Sequence, residues 1–161
     1  MKRIFLALVF FSTLGLAQQK FACVDPNRIL SESKLVKGKE TQLRAKVDEY
    51  QKRLDQINKR LEELKKQIES KGIAQNVREQ RIKEYQKMEA EGMELQQKAQ
   101  KELSELKGKM EEEIIGNVRS ISEDIAKKQG FTGVLDCSAF VYRAAEIDIT
   151  KEVIDRLDQQ K

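Results

Sequence analysis

Side chains that could do catalytic chemistry are scarce in this 161-residue chain, which contains no histidine. Histidine is the commonest general base and the commonest metal ligand, so an acyl-transfer site of the Ser/His or Cys/His type is excluded, and a zinc site would lack its usual ligands. The consecutive carboxylates Glu111, Glu112 and Glu113 have no evident pocket or partner, and we interpret them as helix surface. We therefore expect a protein that is not an enzyme and that needs no cofactor or metal.

Charge is uneven in one stretch, residues 59–87, where nine basic residues stand against five acidic ones. One interpretation is a positive rim that meets an anionic membrane surface or a bound protein. The alternative is an ordinary solvated helix face, because surface charge is screened within about 8 Å at physiological salt. Nearby apolar side chains outside the strict heptad offer a soft, adaptable surface. The candidate binding residues are Lys59, Arg60, Lys65, Lys66, Lys71, Arg78, Arg81, Tyr85, Met88 and Met93.

A heptad pattern predicts the long helices that would carry these residues. From Leu43 to Ile68 the apolar residues alternate at intervals of four and three, which is typical of a coiled-coil seam. A second helix should cover most of this seam. It is predicted to begin after Ser70-Lys71-Gly72 and to end at the capping residue Gly130. The sequence predicts an antiparallel helical hairpin over 34–129. Three glycines inside the second helix indicate bending or close packing: Gly92, Gly108 and Gly116.

The two chain ends, 18–33 and 130–161, predict a small body built on short β-strands. The run from Phe21 to Asp25 is typical of a strand that stops at Pro26, with Asp25 as helix N-cap. We expect residues 136–138 to turn a hairpin that forms two further strands, and a final helix to begin at 148–150. A body this small would bury little surface and leave sheet edges open, which favours oligomerisation. The predicted fold class is mainly α with a small β body.

The first seventeen residues, 1–17, are typical of a cleaved signal peptide. Lys2 and Arg3 precede an apolar run that ends at Gly15-Leu16-Ala17 and is too short to span a bilayer. The alternatives are an uncleaved anchor and a lipoprotein modified at Cys23. Without the two basic residues, the net charge falls from +4 to +2. Near-balanced charge and few aromatic residues disfavour nucleic-acid binding.

The two cysteines, Cys23 and Cys137, both fall in the predicted body. An exported protein meets an oxidising compartment, so we expect them to form a disulfide. The alternative is a pair of buried thiols, because a disulfide needs Cα atoms within about 7 Å of each other.

Residues at both ends of the chain resemble the Skp (OmpH-like) family of periplasmic chaperones. The matching stretches are Val24-Asp25, Arg28 to Leu30 and Ser33 at the front, and Gly130-Phe131, Val134 to Asp136, Ser138-Ala139, Tyr142, Asp148 to Thr150, Val153-Ile154 and Leu157 at the back. The resemblance implies a homotrimer whose helical arms enclose a cavity and hold unfolded outer-membrane proteins in the periplasm without ATP. Familiar members of the family carry a larger net positive charge than the +2 of this chain. That difference puts in question how far this protein captures clients or lipopolysaccharide by charge. The alternative function is a structural coiled-coil spacer or adaptor of the cell envelope.

Overall fold

The computed structural model describes residues 19–160, so the predicted signal peptide at 1–17 lies outside the described residues. Two long helices account for most of the described chain, and short elements at both ends of the sequence form a body at their base. In chain order the elements are β1 (Phe21–Val24), α1 (Pro26–Glu32), α2 (Lys34–Glu69), α3 (Gln75–Gln129), β2 (Gly133–Asp136) and α4 (Thr150–Leu157), with short 3-10 turns at Cys137–Ala139 and Ala145–Ile147 between β2 and α4.

Local capping chemistry sets the helix boundaries. Asp25 accepts hydrogen bonds from the backbone N–H groups of Asn27 and Arg28, and Pro26 occupies the first helical position, as predicted. At the end of α3, Gly130 takes a left-handed conformation with φ of 72°, which glycine adopts without steric strain. These caps fix where the chain passes between the body and the long helices.

Helices α2 and α3 pack against each other as an antiparallel hairpin, which we call the arm. At 1.5 Å per residue, the 36 residues of α2 extend about 54 Å. Leu64 is fully buried, and Tyr50 packs in a second cluster with Leu95 and Ala99. The predicted fold class, a helical hairpin on a small β body, is confirmed.

The body is built around β1, which is buried and pairs in parallel with β2. The register aligns Phe21 with Gly133 and Val24 with Asp136. Ile149 donates its backbone N–H to the carbonyl oxygen of Cys23 on the other side of β1, at 3.0 Å. Apolar residues of β1, of α4 and of the parts of α1, α2 and α3 nearest the body form one core, which includes Ala22, Ile29, Val36, Ile121, Ile125, Val153 and Leu157.

The predicted hairpin at 136–138, and the third strand that it implied, are wrong. Asp136 accepts a hydrogen bond from the backbone N–H of Ser138 at 2.8 Å, which starts a 3-10 turn instead of a strand reversal. The segment that follows, residues 140–144, forms no strand, and Val141 is fully exposed. The strand pairing is parallel, and the long crossover connection that parallel strands require is the arm itself.

The three interior glycines of α3 differ in their surroundings. A Cβ at Gly92 would lie 3.3 Å from Cγ2 of Ile57, so the two helices approach closely there. A Cβ at Gly108 or Gly116 would meet nothing within 4 Å. The expected close packing therefore holds at Gly92, and the structure gives no packing reason for the other two.

Across residues 19–160, every helix is too short or too polar to span a bilayer.

Candidate functional site

Two of the predicted binding arginines are engaged inside the arm. Arg60 on α2 donates to Glu84 on α3 at 2.6 Å, and Arg81 donates to the same carboxylate at 2.8 Å. The hydrogen bond from Arg60, and after it the one from Arg81, holds the pKa of Glu84 below its ordinary value. Arg60 also reaches Glu63 at 3.1 Å. Much of the charge of both arginines is thus balanced within the chain, and the Arg60–Glu84 pair links the two helices.

A third predicted binding residue, Arg78, closes the distal end of the arm. Its guanidinium donates to the carbonyl oxygens of Ile68 at 2.7 Å and of Ser70 at 3.0 Å. The last carbonyl groups of a helix have no partner within the helix, so a side chain from α3 supplies one for the end of α2. Arg78 therefore orders the turn between the helices.

The remaining predicted binding residues present a lysine-rich surface. Lys59, Lys65, Lys66 and Lys71 are exposed, whereas Tyr85 and Met88 are partly buried. Met93 is 56% exposed and lies nearer the body. The arginines serve the arm itself, so the positive rim at 59–87 consists mainly of solvent-facing lysines. Binding at this rim stays a prediction.

Most of the apolar seam of α2 is buried or partly buried, as the heptad pattern predicted. Of its heptad residues, Tyr50 and Leu64 are buried and Val47 is 43% exposed. Two hydrophobic side chains of α3, Val77 and Ile82, are also exposed. Val47 is thus the seam residue that stays open to solvent. The seam residues that are partly buried are Leu43, Leu54, Ile57, Leu61 and Ile68.

A polar contact at the middle of the arm was not anticipated from the sequence. The hydroxyl of Tyr50 donates to the carboxylate of Glu102 across the two helices, and this hydrogen bond raises the pKa of Tyr50. The cationic groups of Lys46 and Arg53 lie 5.6 Å and 5.9 Å from the centre of the tyrosine ring. The sequence contained one signal for this contact, because Tyr50 occupies a heptad position and the other residues of the seam are aliphatic.

The carboxylate of Asp158 joins the C-terminal part of the chain to the base of the arm. It accepts hydrogen bonds from the hydroxyl of Ser33 at 2.6 Å and from the backbone N–H groups of Leu35 at 3.0 Å and Lys34 at 3.1 Å. Burial would raise the pKa of Asp158, but these hydrogen bonds outweigh it and hold the pKa below its ordinary value. The group caps the N-terminus of α2, where a negative charge is favoured.

Cys23 and Cys137 are joined by a disulfide in the structure, with Cα atoms 4.8 Å apart. The bond ties β1 to the 3-10 turn after β2. The carboxylate of Asp148 lies close to both sulfur atoms and accepts hydrogen bonds from the backbone N–H and the hydroxyl of Thr150. Since both sulfurs are consumed by the bond, this cluster does not offer thiolate ligands to a metal.

An apolar groove, which we call the body groove, runs between α1, the lower part of α3 and β2. Its volume is about 870 Å³, and its walls include the partly exposed side chains of Leu30, Ile115 and Leu135. The hydroxyl of Ser122 also lines it and is buried without a hydrogen-bond partner among the described residues. Buried polar groups are normally hydrogen-bonded, so Ser122 is an exception among the described residues.

A family model for "Outer membrane protein (OmpH-like)" matches residues 20–157. The chain belongs to the OmpH-like family. The matched residues include both the body and the arm. The similarity to the family is therefore not confined to the two chain ends. This agrees with the family suggested by the end motifs.

Relatives of this OmpH-like protein share its full length. A protein of Aquifex aeolicus (strain VF5), described as uncharacterised, is 36% identical over 159 residues, which are 99% of this chain and 98% of the relative. A crystal structure from Caulobacter crescentus CB15, provisionally described as an outer membrane chaperone (OmpH-like), superposes with a TM-score of 0.77 at 22% identity. That alignment covers 96% of this chain and 92% of the other, and it shows the fold.

Proposed function

We propose that this OmpH-like protein is an ATP-independent holdase of the periplasm, which binds unfolded outer-membrane proteins in a cavity between the arms of a homotrimer. The observation that carries the proposal is the set of exposed apolar side chains on an arm of about 54 Å, namely Val47, Val77, Ile82 and Met93. Family membership supports the same role, because the related Caulobacter structure is described as a chaperone.

The exposed apolar residues suit a client without a fixed shape. Val47, Val77, Ile82 and Met93 are spread along the arm and are not gathered into one pocket. Each buried apolar contact contributes in proportion to its area, about 25 cal/mol per Å², and needs no particular geometry. An unfolded chain can satisfy many such contacts in different ways, whereas a folded protein has already buried its own apolar surface. Release then follows from folding of the client and requires no nucleotide.

The exposed lysines of the rim support a second, weaker contribution to binding. Lys65, Lys66 and Lys71 face solvent at the distal end of the arm, where they would meet an acidic client segment, lipopolysaccharide or an anionic membrane surface. Such exposed charges act over about one Debye length, so their effect should fall as salt increases. Apolar contact should persist at the same salt concentration.

A client-protection assay tests the proposal. A urea-denatured outer-membrane β-barrel protein is diluted into buffer with and without the purified protein, and aggregation is followed by light scattering in the absence of nucleotide. We expect the full-length protein to suppress aggregation. A variant in which 58–91 is replaced by a short Gly-Ser turn should lose most of this activity. The new turn would join Ile57 and Gly92, which are already in contact across the hairpin.

The shortened variant keeps the body and the cluster around Tyr50, so helical circular dichroism and thermal unfolding serve as its folding controls. An intact arm with alanine at Lys65, Lys66 and Lys71 should protect less well only at low salt. The proposal is contradicted if the shortened protein protects the client as well as the full-length protein does, or if protection requires ATP.

A further inference from the structure

Asp148 places a largely buried carboxylate beside the disulfide of the body. One oxygen of this carboxylate and the sulfur atoms of Cys23 and Cys137 all lie within 4.8 Å of one another. The side chain of Asp148 is 14% exposed, whereas Cys137 is almost fully buried and Cys23 is fully buried. A charged group is rarely placed so far from water without partners, so its surroundings indicate what it can bind.

Backbone contacts hold these three side chains together without the help of the sulfur atoms. Cys23 lies on β1 and aligns with Leu135 of β2, two residues before Cys137. On the other side of β1, Asp148 forms a bridge with Cys23, and Ile149 donates its backbone N–H to the carbonyl oxygen of Cys23 at 3.0 Å. The two cysteines and the carboxylate should therefore remain neighbours when the disulfide is opened.

Hydrogen bonds and ion pairs fix the carboxylate of Asp148. It accepts hydrogen bonds from the backbone N–H of Thr150 at 3.0 Å and from the hydroxyl of the same residue. Its other oxygen lies 3.2 Å from Arg143 and 3.6 Å from Arg28. Burial would raise the pKa of Asp148, but these partners outweigh it and hold the pKa below its ordinary value. Outer hydrogen bonds of this kind orient the ligands of metal sites.

Opening the disulfide changes the chemistry that this cluster offers. A dithiol reductant that attacks the bond is itself oxidised to a cyclic disulfide, and two electrons and two protons pass to Cys23 and Cys137. Two thiolates and a carboxylate are ligands that zinc accepts. With zinc–sulfur bonds of about 2.3 Å and zinc–oxygen bonds of about 2.1 Å, tetrahedral ligand atoms lie about 3.6 to 3.8 Å apart. Small side-chain movements reach that spacing from the observed positions.

Charge also favours a divalent cation at the opened cluster. Two thiolates and one carboxylate carry more negative charge than Zn²⁺ balances, so the complex would remain an anion. Arg28 and Arg143 supply positive charge next to it, on the far side of the carboxylate from Thr150. Since Asp148 is partly exposed, it also gives the ion a route from solvent to the buried sulfurs.

We propose that, once the disulfide is reduced, Cys23, Cys137 and Asp148 bind one Zn²⁺ ion, with water in the fourth position. The ion then takes the place of the disulfide as the link between β1 and the turn after β2. Binding releases the two thiol protons, because zinc is held by thiolates. In the oxidised chain the sulfurs are bonded to each other and do not bind the ion.

Cobalt(II) is the probe for this site, because it occupies zinc sites and absorbs strongly when thiolates bind it. The protein is reduced with dithiothreitol, which is then removed by desalting without oxygen, and its free thiols are counted. We expect the reduced protein to bind one cobalt ion per chain with a thiolate-to-metal absorption band, and zinc to displace the cobalt. The oxidised protein should show no such band.

Variants identify the ligands. Cys23→Ser with Cys137→Ser lacks the disulfide, as the reduced wild type does, but it also lacks the thiols, so the absorption band should disappear. Asp148→Asn should weaken cobalt binding by about ten-fold or more. The matched control Asp155→Asn changes an exposed carboxylate on α4 and should bind cobalt as the wild type does. Circular dichroism verifies that each reduced variant folds.

Thermal unfolding gives a second readout that does not depend on Asp148→Asn. Zinc should raise the unfolding midpoint of the reduced wild type and leave the midpoints of the oxidised protein and of the double serine variant unchanged. The inference is overturned if the reduced wild type shows no thiolate band, if the double serine variant binds cobalt equally well, or if Asp148→Asn binds as tightly as Asp155→Asn.

Discussion

Replacement of Asp158 by alanine should destabilise the junction between the body and the arm. The carboxylate accepts three hydrogen bonds, two of which come from backbone N–H groups in the first turn of α2. Loss of a helix N-cap acceptor costs about 0.5 to 2 kcal/mol. The hydroxyl of Ser33, which is fully buried, would also lose its acceptor, and an unsatisfied buried group costs about 1 to 3 kcal/mol. We expect a total loss of about 2 to 4 kcal/mol in the free energy of unfolding.

The effect of Asp158→Ala should depend on pH in a defined direction. The pKa of Asp158 is lowered in the folded protein, so the unfolded chain binds a proton more readily than the folded one does. The stability that the ionised group contributes is complete above its ordinary pKa of 3.8 and disappears as the pH falls through the folded value. The difference between wild type and variant should therefore be constant from pH 7 to about pH 5 and shrink below about pH 3.8.

Urea unfolding followed by circular dichroism at one fixed chain concentration measures these differences, because oligomerisation would otherwise change the apparent stability. Asp155→Ala is the matched control: Asp155 lies on α4, is exposed, and within residues 19–160 pairs only with Lys151, at 2.6 Å. We expect the control to stay within about 0.5 kcal/mol of wild type. The reasoning would be refuted if both substitutions cost the same, or if the Asp158 effect were unchanged at pH 3.

Two further substitutions test other contacts. Cys23→Ser with Cys137→Ser removes a disulfide that closes a loop of sequence separation 114. Because the unfolded chain gains entropy, the free energy of unfolding should fall by up to about 5 kcal/mol. Thermal unfolding checks this, and an unchanged midpoint would contradict it. Arg78→Ala removes the donors to the carbonyl oxygens of Ile68 and Ser70, so amide hydrogen exchange at 66–78 should become faster. The control Lys71→Ala changes an exposed side chain and should leave the exchange rates unchanged. Equal exchange in both variants would contradict the capping role.

Features with a local cause could be predicted from the sequence. The heptad intervals of α2, the Asp25-Pro26 start of α1 and the Gly130 cap each depend on residues within a few positions of one another. These signals gave the hairpin and the fold class correctly. Family resemblance added the relation between the two chain ends, which periodicity does not contain.

Features that depend on distant partners could not be predicted in the same way. Asp158 meets Ser33, which lies 125 positions earlier, and no local pattern marks that pair. Phe140 to Tyr142 have strand propensity, but a strand forms only where an edge is available to pair with. Likewise, Arg60 and Arg78 looked like free surface charge, because the carboxylate and the carbonyl that bind them belong to the facing helix.

The pairing of β1 with β2 also constrains the order in which the molecule can be completed. The two strands are offset by 112 positions, with the whole arm between them. A chain made from its N-terminus exposes β1 early, but its strand partner β2 and the helix α4 emerge only after α3. The arm closes through contacts between helices that follow each other in sequence, whereas the body must wait for the last thirty or so residues. Synthesis of the C-terminal segment is thus the event that permits the body to fold, and any chain truncated before β2 would retain its arm but lack a body.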